Sequence, residues 1–245
     1  LLFKTAELRP GQNYTVSVTQ DVHVTKRPQP FSMFTIANRN IRNYSSSIAR
    51  DLDGDGYEEI ITSSENSVYV FKKDGSVLWE KSYPFRISLN LVEEYNRDIA
   101  VAVSGKNHDV VHLILLNRHG SEVWHQKRKI TRSYQGRPDG GGRFAALADI
   151  DRDGKKEIIA FTSAGYAWKP RGIIVYDQGG RELWRYLIGP SPTSIAVWDN
   201  GKKRPDIILG AYSPGNGNKE RHNQTDDMHT YVFSIDGYGR TNWVK

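Results

Sequence analysis

Gly75-Ser76-Val77-Leu78-Trp79, Gly120-Ser121-Glu122-Val123-Trp124, Gly180-Arg181-Glu182-Leu183-Trp184 and Gly239-Arg240-Thr241-Asn242-Trp243 are four versions of one pentapeptide. Four of the six tryptophans thus follow a glycine by four residues, at separations of 45, 60 and 59. Upstream of each lies a run of β-formers, at 68–71, 113–116, 173–176 and 231–235. Before each run stands an acid followed by another such run: Glu59-Ile60-Ile61, Asp98-Ile99-Ala100-Val101, Glu157-Ile158-Ile159-Ala160 and Asp206-Ile207-Ile208-Leu209. Self-similarity at this spacing marks a repeat architecture.

Each unit reads strand, acidic loop, strand, variable loop, strand, glycine turn, strand ending in tryptophan. The apolar runs are short, β-branched and bounded by Gly, Asp or Asn, and no long stretch has helical period. Four strands per repeat of this length make a propeller blade, and a lone blade cannot bury both of its faces. The expected fold is therefore an all-β propeller of four-stranded antiparallel blades at 46–84, 86–128, 143–189 and 193–245. The repeated tryptophans are expected to pack blade against blade. Residues 1–45 hold strand-like runs at 14–18 and 31–36 without the motif, and read as a divergent fifth blade or part of one.

The length of 245 residues suits a large core, and the absence of cysteine excludes disulfides, thiolate metal sites and cysteine catalysis. No stretch approaches the ~20 apolar residues of a membrane helix. The opening Leu1-Leu2-Phe3-Lys4 has neither an initiator Met nor the pattern of a signal peptide, so the chain reads as a piece of something longer. The net charge of +6 raises nucleic acid as a partner. The basic residues are scattered, however, apart from runs at 127–129 and 202–204 without interleaved aromatics, and read as solvated surface.

Two of the acidic loops carry chemistry. They are Asp51-Leu52-Asp53-Gly54-Asp55-Gly56-Tyr57-Glu58-Glu59 and Asp149-Ile150-Asp151-Arg152-Asp153-Gly154-Lys155-Lys156-Glu157. Carboxylates at positions 1, 3 and 5 converge when the chain curls, the glycine at 6 permits the turn, the carbonyl at 7 points inward and the acid at 9 closes the shell. Hard oxygen donors in that number suit Ca²⁺. An EF-hand begins the same way but requires Glu at position 12, where these loops have Thr62 and Ala160, and both loops run into strands.

An Asp-x-Asp-x-Asp-Gly-x-x-Glu loop between strands, recurring from blade to blade, resembles the FG-GAP/VCBS family, the calcium-loop propeller repeats also found in integrin α chains. The Val-Tyr-Val-Phe-x-x-x-Gly-x-x-x-Trp half is also similar to quinoprotein-type propeller repeats. The first resemblance implies Asp51, Asp53, Asp55 and Glu59, with the Tyr57 carbonyl, as ligands of one Ca²⁺. It implies Asp149, Asp151, Asp153 and Glu157, with the Lys155 carbonyl, as ligands of a second. The family usually has Asp at the ninth position, so Glu at both sites is a departure. The first loop carries five acids and no cation, while Arg152, Lys155 and Lys156 offset the second, so the first is expected to bind more tightly. The loops at 93–98 and 199–206 are expected to hold no metal, with Lys202, Lys203 and Arg204 standing in for the ion in the latter. Calcium in this setting is expected to be mainly structural.

In a blade, the calcium loops share a face with the glycine turns. The long insertions at 131–142, 164–172 and 211–230 belong to the other face, where loops of such length are usually functional. Arg132, Tyr134, Tyr166, Trp168, Lys169, Arg171, Tyr212, His222, Asp226 and Asp227 make this the expected site for a polar ligand such as a sugar, peptide or protein. Motifs for nucleophilic, zinc-dependent or phosphate chemistry are absent from the sequence. The reading is therefore a calcium-stabilised binding, sensing or adhesion module of a larger extracellular or periplasmic protein. The alternative is a carbohydrate-active enzyme, since some polysaccharide lyases resemble calcium-loop propellers.

Overall fold

The computed structural model describes residues 47–131, 133–164, 171–199, 201, 203–216 and 221–245. The chain divides into two units, Leu1–Met33 and Phe34–Lys245, and every described residue belongs to the second. The blade expected over residues 1–45 lies outside the described residues.

Four antiparallel four-stranded sheets follow one another, each in simple sequential order. The first comprises β1 (Ile48–Arg50), β2 (Glu59–Ser64), β3 (Ser67–Phe71) and β4 (Val77–Ser82). The second comprises β5 (Arg86–Tyr95), β6 (Asp98–Asn107), β7 (Val110–Leu116) and β8 (Glu122–Lys129). A short hairpin, β9 (Ser133–Tyr134) and β10 (Arg137–Pro138), precedes the third sheet of β11 (Gly141–Ala148), β12 (Glu157–Ser163), β13 (Gly172–Tyr176) and β14 (Glu182–Leu187). The fourth comprises β15 (Ser191–Trp198), β16 (Asp206–Tyr212), β17 (Tyr231–Asp236) and β18 (Thr241–Val244). These are the blades of an all-β propeller. No helix among the described residues is long and apolar enough to cross a membrane.

The middle strands of the third blade are covered on both faces, and their sequences show it. Ile158, Ile159, Ala160 and Phe161 of β12 and Ile173, Ile174 and Val175 of β13 are all buried, while the outer β14 alternates. The core accordingly sits between blades. One cluster joins Val70 and Ile61 to Leu89 and Val103, a second joins Leu113 and Trp124 to Phe144 and Ile174, and a third joins Ile159 and Val175 to Leu209 and Phe233. Full burial of such a side chain stabilises by ~1.5–3 kcal/mol. Polar groups tie the same joints: Leu89 N–H donates to Ser63 Oγ at 2.8 Å and Phe144 N–H to Asn90 Oδ1 at 3.0 Å.

The repeated pentapeptide has one structural cause. In each blade the last hairpin closes through a glycine with φ between 79° and 84°, at Gly75, Gly120, Gly180 and Gly239. The glycine N–H donates three residues back, to Lys72, Asn117, Asp177 and Asp236 carbonyls at 2.9–3.0 Å, and the register slips by one residue immediately after. This is a glycine-bulge hairpin, which requires a left-handed residue at that point. The slip sets the tryptophan on the face toward the next blade, where it lies over that blade's glycine turn. A Cβ on Gly120 would meet Trp79 at 3.0 Å, on Gly180 Trp124 at 3.0 Å, and on Gly239 Trp184 at 2.8 Å. Trp79 Nε1 also donates to the Arg118 carbonyl at 2.8 Å. The fourth tryptophan, Trp243, is 42% exposed.

Candidate functional site

The two acidic loops link the first two strands of the first and third blades. Each is anchored by an apolar second residue, Leu52 or Ile150, whose side chain is fully buried. The N–H of that residue donates to the ninth-position carboxylate: Leu52 to Glu59 Oε2 at 2.8 Å and Ile150 to Glu157 Oε2 at 2.9 Å. The position 1 acid is wrapped by loop amides. Gly54 and Gly56 donate to Asp51 at 2.7 and 2.9 Å, and Asp153 and Gly154 to Asp149 at 3.1 and 2.9 Å. The fourth and sixth positions adopt left-handed backbone in both loops, at Gly54 and Gly56 and at Arg152 and Gly154.

This curl gathers Asp51, Asp53 and Glu59, and likewise Asp149, Asp151 and Glu157, with one oxygen from each within 4.8 Å of the others. That span fits a shared cation with oxygen ligands at ~2.3–2.6 Å. Glu59 and Glu157 are each 2% exposed. Burial, followed by Asp53 and Asp55, raises the Glu59 carboxyl above 4.5 despite the Leu52 amide. Burial, followed by Asp151 and Asp153, pushes Glu157 up to about 7, although Gln178 Nε2 donates to it at 3.1 Å. A carboxylate withdrawn from water beside two others holds its proton until a cation replaces it.

Asp55 and Asp153 stand outside these two clusters. They are exposed, and each accepts the amide two residues on, from Tyr57 at 2.7 Å and Lys155 at 2.8 Å. Cations border both sites. Lys72 Nζ lies 3.7 Å from Asp53, and Arg204 Nη2 lies 3.9 Å from Asp151. The latter corrects one expectation. Arg204 does not fill the fourth blade's own loop but bonds the Gly237 carbonyl at 3.1 Å, stacks on Tyr238 and reaches into the third blade's site. Lys202 lies outside the described residues. Gln178 and Arg204 reach the third blade's site from other elements, so neither carries a local signature for that site.

Of the residues expected to bind a ligand, Arg132, Tyr166, Trp168 and Lys169 lie outside the described residues. Tyr134, on the β9–β10 hairpin, and Tyr212, at the end of β16, are 42% and 51% exposed. Arg171 and Asp227 require correction. Both are fully buried, their charged groups lie 3.8 Å apart, and Arg171 donates to the carbonyls of Ala164 and Gly189 at 2.9 Å. They pin the long insertion to the blade rather than face a ligand. His222 and Thr225 exchange backbone bonds at 3.0 and 2.9 Å, and Thr225 Oγ1 accepts from Gly189 N–H. Asp226 accepts from Met228 N–H and Tyr231 Oη and bonds His229 Nδ1 at 2.8 Å, so its bonds close the turn. His229 and these hydrogen bonds hold its carboxyl below the usual range.

No protein-family model and no curated protein matches the sequence. Solved structures do. A protein of unknown function from Bacteroides caccae is 14% identical over 76% of this chain and 77% of its own, with a TM-score of 0.41. The V. cholerae biofilm matrix protein Bap1 is 16% identical over 82% of this chain and 39% of its own, at 0.38. BBS1N, solved in complex with ARL6DN, is 14% identical over 84% of this chain and 69% of its own, at 0.44. The functional reading rests on the loops themselves.

Proposed function

We propose that the chain is a calcium-stabilised propeller of the FG-GAP/VCBS type, serving as a ligand-binding, sensing or adhesion module of a protein that works outside the cytoplasm. One observation carries this reading. Two separate blades withdraw a ninth-position glutamate from water and hold it within 4.8 Å of two aspartates. Asp51, Asp53 and Glu59 would hold one ion and Asp149, Asp151 and Glu157 the other. The ion supplies charge neutralisation for carboxylates that otherwise repel, so it binds the folded loop and stabilises it by linkage. A loop set of this kind functions best where Ca²⁺ is millimolar, which supports the extracytoplasmic placement. The exposed Tyr134 and Tyr212 support a binding role for the other end of the strands.

The test is a melting scan in millimolar Ca²⁺ and in chelator, with bound-metal analysis. Saturation at a hundredfold excess over Kd corresponds to about 2.7 kcal/mol per site, or roughly 5–10 °C in a unit of this size. An unchanged Tm together with no bound calcium refutes the reading.

A further inference from the structure

At the ends of β5 and β6 remote from the acidic loops, two cations stand opposite one another. Arg86 and Lys106 are register partners, and two residues along the same face Ser88 is paired with Ser104. Directly opposed side chains have their Cβ atoms ~5 Å apart, and like charges so placed destabilise a sheet. The fold relieves this only in part. Glu65 of the preceding blade bonds Arg86 at 3.2 Å, and the Pro138 carbonyl accepts from Lys106 at 2.9 Å.

Across from this quartet runs the start of β11. Gly141 and Gly142 expose bare backbone there because side chains have no room. A Cβ would meet Ser163 Oγ at 2.9 Å and Val111 at 3.0 Å respectively. The result is a groove of about 460 Å³ between the second and third blades, and none of the residues lining it is acidic. That volume is in the range of small-molecule sites. Arginine supplies a planar fork for an oxyanion, lysine three donors, and the serines donors or acceptors for hydroxyls.

We propose that this groove binds an acidic saccharide of about disaccharide size, with its carboxylate or sulfate seated between Arg86 and Lys106 and its hydroxyls toward Ser88 and Ser104. The proposal rests on the reading of the chain as a binding module but not on calcium.

Calorimetric titration of the full chain tests it, using a uronic-acid disaccharide, a sulfated disaccharide and a neutral disaccharide, each in Ca²⁺ and in chelator. Binding of at least one charged sugar is expected, weakening steeply with salt. Arg86→Gln and Lys106→Gln should each weaken it tenfold or more, and the two charged probes distinguish carboxylate from sulfate. Both variants alter exposed side chains, and their melting curves confirm folding. The proposal is overturned if neither charged sugar binds, if the neutral sugar binds as well, or if both folded variants bind like the parent. Melting temperatures of the same samples report the calcium sites separately, so either claim can fail without the other.

Discussion

Replacing Glu157 with glutamine separates the proton from the metal at the second acidic loop. In the metal-free chain, the Glu157 carboxyl is moved from 4.5 up to about 7, chiefly by burial and then by Asp151 and Asp153. An acid whose folded value exceeds its unfolded one favours the protonated fold. Its contribution is therefore complete below about pH 4.5, declines as pH rises to about 7, and stays lost above that. The interval corresponds to roughly 2–3 kcal/mol once some loop relaxation is allowed, or about 5–10 °C in Tm. Calcium reverses the trend, because it binds the ionised carboxylate and displaces the proton.

Glutamine keeps the shape of the neutral acid and one acceptor for the Ile150 N–H, while its NH2 faces the Gln178 amide and that bond is lost. The variant in chelator should be flatter than the parent between pH 4.5 and 7, escaping the loss of those ~2–3 kcal/mol, on top of a constant offset from the lost Gln178 bond. It should also lose the second site's share of calcium stabilisation. The assay is urea or thermal unfolding of both proteins across that range, in chelator and in millimolar Ca²⁺. Subtracting one profile from the other removes Glu59, which is raised for the same reason in the first loop. A variant that falls with pH as steeply as the parent, or gains as much from calcium, refutes the reasoning.

Arg204→Gln should tighten calcium at the second site severalfold by removing a cation 3.9 Å from Asp151, read by isothermal titration; unchanged affinity counts against the site. Gly239→Ala forces a left-handed residue into the tight turn and a Cβ within 2.8 Å of Trp184. It should cost roughly 2–4 kcal/mol in urea unfolding, with Gly136→Ala, whose Cβ meets nothing within 4 Å, as the control for backbone strain alone. Asp227→Ala leaves the Arg171 charge buried without its carboxylate and should cost ~3–5 kcal/mol, while Asp227→Ala, Arg171→Met together should recover part of it.

The legible features are those whose cause lies within a few residues. Gly75 and Trp79 sit in one hairpin, and the bulge that needs the glycine also aims the tryptophan, so period and spacing alone announced blades. Asp51, Asp53 and Glu59 likewise belong to one curl of chain. What the sequence hid is brought together from far apart. The Arg171–Asp227 pair spans 56 positions, and its members read as ligand groups because a buried ion pair and an exposed charged site use the same residue types. The groove joins 86–88 to 104–106 and 141–142, visible only once β5 and β6 are in register and β11 is placed across from them. Asp55 and Asp153 show a subtler limit. Each fits the loop spelling, and each lies outside the three-acid group of its loop while accepting an amide two residues ahead.

The glycine–tryptophan hairpin persists in all four blades and the acidic loop in two, and the difference has a physical basis. Every joint between successive blades needs an aromatic plate over the next turn, because that plate covers apolar surface for which water is no substitute. The link between the first two strands can be closed in other ways. In the second blade, Tyr95 pairs directly with Asp98, and Asn96 and Arg97 make a two-residue turn with φ of 49° and 73°. That is the mirror-type turn favoured in tight hairpins, and it leaves no loop for an ion. Asp98 is instead neutralised by Arg118 from the neighbouring turn. The same turn then supports the loop beyond it: Asn96 Oδ1 accepts from Lys156 N–H at 3.1 Å and the Glu94 carbonyl from Lys156 Nζ at 2.7 Å. In the fourth blade, Asp199 accepts from Arg152 at 2.5 Å while Arg204 reaches back to Asp151. The second and fourth blades thus brace the second acidic loop from both sides, and that loop gives up local negative charge for it. The first loop, where Lys72 is the cation beside Asp53, should therefore fill first as calcium is added.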